Sequence, residues 1–138
     1  MITGLSHVSI AVPSIEAASK RLKEVYGLEA GAVRVNEQQG VRLAYVELPN
    51  ARIELMEPAR PDSPISGFLA KRGGGIHHLA WKVDDVAAAI AALRAKGIRM
   101  IDEAPRPGAH GTRIAFVHPK STGGVLMELV QEPRADGA

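Results

Sequence analysis

The chain contains no cysteine. Disulfides, thiolate metal sites and cysteine nucleophiles are excluded, so any metal must be held by nitrogen and oxygen donors. Aromatic residues make up only 4% and nowhere interleave with a basic run. Charge of one sign is also lacking: 17 Lys plus Arg stand against 15 Asp plus Glu, a net +2. These features argue against a nucleic-acid partner. No apolar run reaches the length needed to cross a bilayer, and the first residues lack the charged-then-apolar order of a signal peptide. The expectation is a cytoplasmic protein with no membrane partner. The triplet Gly73-Gly74-Gly75 is followed by neither a dinucleotide nor a Walker pattern, so it marks a boundary and not a phosphate loop.

What is present suffices for one domain: 138 residues, 46% of them hydrophobic. Within it lies an internal echo. His7-Val8-Ser9-Ile10-Ala11-Val12 and His78-Leu79-Ala80-Trp81-Lys82-Val83 share the order His, apolar, small, apolar or aromatic, any residue, Val. The echo pairs His7 with His78. Alternation along a strand then sends the neighbouring His77 to the opposite face.

The elements repeat as well. Ile2 to Val12 reads as a strand. Ser14 caps a helix carrying Ile15, Ala18, Leu22 and Val25, which ends at Gly27. Strands follow over Glu29 to Val35, Val41 to Leu48 and Arg52 to Met56. A Pro-, Gly- and Ser-rich connector with a helical turn near Ile65 to Arg72 leads to the second strand–helix unit. There Asp84 or Asp85 caps a helix carrying Val86, Ala89, Ile90 and Leu93, which ends at Gly97. Ile98 to Ile101, Thr112 to His118 and Val125 to Gln131 complete the second set, Glu103 to Gly111 is a loop, and Pro133 to Ala138 is a mobile tail. Each half therefore reads β-α-β-β-β, a self-similarity that constrains architecture more than any single propensity. The expected fold is α+β: two tandem βαβββ modules whose mixed sheets curl around a central metal-binding cleft. They form one domain over residues 1–138, with module 1 at about 3–58, the connector at about 59–74 and module 2 at about 75–133.

The fourth strands align too, which sets Glu54 opposite Glu128. Glu128 is the only charge within Val125 to Val130, and an ionised carboxylate in a core strand is costly without a compensating partner. Two imidazoles and two carboxylates suit a borderline divalent ion such as zinc, cobalt, nickel, manganese or iron, with positions left for substrate oxygens. Glu47 and Glu57 lack repeat partners and read as surface charges. His110 lies in a glycine-rich loop as an exposed residue or a lid contact, and His118-Pro119 shapes a turn.

On these residues the chain resembles the vicinal oxygen chelate superfamily, from about Leu5 to Pro133. Within it the stretches Leu5 to Val12, Asp62-Ser63-Pro64-Ile65, Gly75 to Trp81 and His118-Pro119-Lys120 with Gly123 to Leu129 resemble the methylmalonyl-CoA epimerase family. The resemblance implies interconversion of (2R)- and (2S)-methylmalonyl-CoA by α-proton removal and return through a metal-stabilised enolate. It implies His7, Glu54, His78 and Glu128 as ligands of a divalent metal, with cobalt placed first and Zn2+, Ni2+, Mn2+ or Fe2+ as alternatives. Glu128 is then also one base. Some relatives carry a second Glu where this chain has Leu43, so Glu54 becomes the candidate for the other, with a metal-bound water as the alternative. The acyl-CoA thioester would lie along a basic rim with Lys120, Arg113 and Arg106 as candidates, and a homodimer is implied. A glyoxalase I-like lactoylglutathione lyase, whose ligand order is also His, Glu, His, Glu, is the alternative. A metal-free drug-binding protein of the same fold is the second.

Overall fold

The computed structural model describes residues 1–134; the last four residues of the expected mobile tail lie outside the described residues. Among the described residues, eight strands, three α-helices and two short 3-10 turns make an α+β fold with parallel and antiparallel strand pairs. The chain divides into two compact units, residues 7–77 and residues 1–6 with 78 onward. Strands β1 (Ile2–Ala11) and β5 (Gly75–Val83) each pass from one unit to the other.

In the unit of residues 7–77, the second half of β1 lies beside β4 (Arg52–Pro58), followed by β3 (Val41–Glu47) and β2 (Arg34–Asn36). The β1–β4 pair is parallel and the others are antiparallel. Helix α1 (Ile15–Tyr26) starts where Ser14 accepts the Ala17 N–H at 3.1 Å and stops at left-handed Gly27. Its Ile15 packs with Ala44 and Leu55. On the sheet's other face Val41, Leu43 and Met56 gather around Ile65, just before α2 (Ser66–Arg72). The strand expected over Glu29 to Val35 shrinks to Arg34–Asn36. The preceding stretch touches β3 through a Gly31 N–H bond to the Tyr45 carbonyl at 2.8 Å, not through a ladder.

In the other unit the order is β1, β5, β8 (Met127–Gln131), β7 (Arg113–Val117), β6 (Arg106–Pro107). Asp85, not Asp84, caps α3 (Val86–Ala95) by accepting the Ala88 N–H, and the Gln131 side chain accepts the Val86 N–H at 2.9 Å. Val86, Ala89 and Ile90 of α3 pack on Ala115, Val117 and Leu129. The expected strand Ile98 to Ile101 is replaced by a single bridge, Met100 to Val117, and the edge strand falls instead at Arg106–Pro107, within the expected loop. The cause is Asp102. Its carboxylate accepts the Phe116 N–H at 2.8 Å and the Arg106 Nε–H at 3.0 Å, so a side chain ends the backbone pairing.

Candidate active site

In the unit of residues 7–77 the β1–β4–β3 register sets the arrangement. Ser9 and Tyr45 both lie opposite Glu54, and His7 lies one pleat further along the same face. Glu54 is buried, and both its oxygens accept hydrogen bonds: Oε1 from the Ser9 hydroxyl at 2.7 Å, Oε2 from the Tyr45 hydroxyl at 2.8 Å. Leaving a buried carboxylate uncompensated costs several kcal/mol. Two charge-assisted hydrogen bonds, each contributing about 1.5–3 kcal/mol, offset much of that and explain how a core strand tolerates this residue.

His7 Nε2 lies 3.9 Å from Glu54 Oε1, beyond hydrogen-bond range. Two donors at about 2.0–2.2 Å on one tetrahedral or octahedral ion lie roughly 3–3.5 Å apart, so His7 and Glu54 would hold a shared divalent ion after closing by a few tenths of an ångström. The imidazole–carboxylate donor set suits the same class of ion.

His77 belongs to this unit as well. It is half-buried, with its ring edge-on to Phe68 at 5.1 Å. Burial lowers its proton affinity below the ordinary 6.5, against a smaller upward pull from the Glu54 carboxylate.

In the other unit, β5 pairs in parallel with β8, placing Ala80 beside Glu128, and β7 places Phe116 on its other side. His78, two residues before Ala80, shares their face, and its ring meets Phe116 edge-on at 5.4 Å. His7, Glu54, His78 and Glu128 are exposed by only 7%, 6%, 4% and 6%. Solvated surface charge is therefore not the explanation for either glutamate.

The remaining candidates are more dispersed. Lys120 and Arg113 are exposed. Arg106 is already engaged, bonded to Asp102 and stacked over Phe116 at 5.4 Å. His118 accepts the Lys120 N–H at 3.1 Å and so shapes its turn as expected. Glu47 and Glu57 pair with Arg52 and Arg42 at 3.9 and 3.2 Å.

This geometry coincides with a family match. A profile of the Glyoxalase/Bleomycin resistance protein/Dioxygenase superfamily matches residues 6–116. The chain belongs to this superfamily. Among its relatives is the ethylmalonyl-CoA/methylmalonyl-CoA epimerase of Cereibacter sphaeroides, 44% identical over 95% of this chain and 99% of that one. The superfamily fold is equally plain in solved structures. The Mycobacterium tuberculosis methylmalonyl-CoA epimerase aligns with a TM-score of 0.89 at 41% identity, covering 96% of this chain and 90% of that one. A methylmalonyl-CoA epimerase in complex with methylmalonyl-CoA and NH4+ aligns with the same score at 39% identity, covering 96% of each.

Sequence reasoning missed Ser9 and Tyr45 as partners of Glu54. For Ser9 a signal was present, since it follows His7 by one pleat and therefore shares its face. Tyr45 required the β3–β4 register.

Proposed function

We propose that this chain epimerises methylmalonyl-CoA at the α-carbon, with His7, Glu54, His78 and Glu128 together holding one divalent metal. The carrying observation is the 44% identity to the Cereibacter epimerase along 95% of the chain. The donor types support it: His7, Glu54 and His78 are all buried and each can offer a ligand atom. When bound, the ion supplies Lewis acidity toward the negative charge that develops on the thioester oxygen.

The protein's own task is proton handling. Glu128 removes the α-proton from one face of the substrate carbon. Inversion requires a donor on the other face, and Glu54 is the candidate, since Leu43 offers no acid or base. Burial of both carboxylates limits solvent access to the carbanionic carbon between removal and return. Ala80 and Phe116 beside Glu128 give the base an apolar surround. The CoA moiety extends past Lys120 and Arg113, whose exposed charges suit its phosphates. Cobalt is the proposed native metal, the cytoplasm the proposed compartment and a homodimer the proposed assembly. Among the described residues no helix is long and apolar enough to cross a membrane.

Two measurements test the reading. Elemental analysis of the purified protein should find stoichiometric divalent metal. Incubation with methylmalonyl-CoA in D2O should wash deuterium into the α-position. Turnover of a glutathione hemithioacetal without α-exchange would instead establish a lactoylglutathione lyase. Absence of both metal and turnover would establish a binding protein.

A further inference from the structure

Glu54 is held at both oxygens, and the two holders differ. Ser9 is fully buried beside Oε1, the oxygen that also lies nearest His7. Tyr45 is half-buried and reaches Oε2 from β3. Its ring is covered by the Arg52 guanidinium at 5.0 Å, and Arg52 in turn pairs with Glu47 at 3.9 Å. On this face of β3, Val41 and Leu43 precede Tyr45 and bring no polar atom. Tyr45 is thus the β3 residue that reaches the Glu54 carboxylate, and its ring is held in place from the outside.

We infer that Tyr45 is a positioning residue for a metal ion: by holding Oε2 it presents Glu54 Oε1, together with His7, as a one-oxygen donor. This rests on the metal-centre reading above. A carboxylate free to turn about its last torsion offers either oxygen or both, and loses that freedom when an ion binds. One already fixed by a rigid phenol has lost it beforehand. Outer partners of this kind typically change metal affinity about 10–100-fold.

Tyr45→Phe removes the hydroxyl and keeps the ring under Arg52. Three quantities are read on the purified protein: the Co2+ dissociation constant by chelator competition, the visible d–d bands of the Co2+-loaded form, and circular dichroism of the metal-free form. The expected result is a folded variant whose Co2+ affinity falls about 10–100-fold, with altered d–d bands because the carboxylate denticity changes. A purely structural tyrosine would leave the bands of the loaded site untouched. If Tyr45→Phe fails to fold, Arg52→Met serves instead, since it frees the ring without removing the hydroxyl; a loss in the same direction is expected. An affinity within threefold of the parent with unchanged bands overturns the role of Tyr45 and leaves the metal centre standing. A parent protein that binds neither Co2+ nor Zn2+ overturns both.

Discussion

Replacing Glu128 by Gln isolates proton transfer from architecture. The residue is 6% exposed on β8, flanked in register by Ala80 and Phe116. Glutamine has the same length and shape, so the strand pairs and the neighbouring core of Ala80, Ile114 and Val130 need not move. The amide retains an oxygen donor for a metal but cannot accept a proton at neutral pH. Loss of a positioned general base typically removes about 10²–10⁴-fold in rate, or roughly 2.7–5.4 kcal/mol of barrier at 1.36 kcal/mol per decade. The assay is conversion of one methylmalonyl-CoA epimer into the other, because Glu54 on the opposite face can still exchange the proton of one epimer; it is run beside metal analysis and thermal melting of the same preparation. The expected variant is folded, still holds some metal, and epimerises at least ~100-fold more slowly. Near-normal epimerisation in a folded, metal-loaded Glu128→Gln would refute the assignment of Glu128 as a base.

Other perturbations probe the remaining links. Dialysis against a chelator should abolish turnover and lower the melting midpoint, with both restored by Co2+; a ligand at 100 times its dissociation constant contributes about 2.7 kcal/mol of stability. Gly108→Ala should destabilise by roughly 1–3 kcal/mol in urea titration. The new Cβ would sit 2.5 Å from Thr112 Oγ1 and 2.6 Å from Ile114 Cγ2, where β7 begins. Leu129→Ala, at a site 2% exposed in the α3-facing core, should cost about 2.7–5 kcal/mol by the same titration. Folding lowers the proton affinity of His77, chiefly through burial, so the unfolded chain takes up its proton first as pH falls. Metal-free protein should therefore lose stability as pH drops below 6.5, and His77→Asn should flatten that slope in melts across the range.

Much of this was legible along the chain because the signals are local. Ser14, Gly27 and Asp85 mark helix ends by their own backbone and side-chain chemistry, and the structure uses each of them. The repeat exposed His7, His78, Glu54 and Glu128 because recurrence singles out residues that hydropathy alone would pass over. What escaped depends on partners distant in sequence. The shape of Asp102 as a stand-in for a backbone acceptor is visible only once Phe116 lies beside it. Likewise Tyr45 gains its meaning from pairing with Glu54 across β3 and β4. The strand expected at Ile98 to Ile101 failed for the same reason: its apolar residues satisfy the pattern, but Asp102 ends the ladder after one bridge.

The passage of β1 from one unit to the other bears on how the chain is made. Residues 1–6 leave the ribosome well before residues 78 onward, the part of the chain to which they belong. Joining them closes a loop of about seventy residues, and the entropy of that closure must be met before the contacts repay it. Such long-range pairing slows folding relative to local contacts. Strand β1 therefore waits while about seventy residues are made before its neighbour in that unit exists. In that interval its unpaired backbone edge is open to pairing with another chain or to capture by a chaperone.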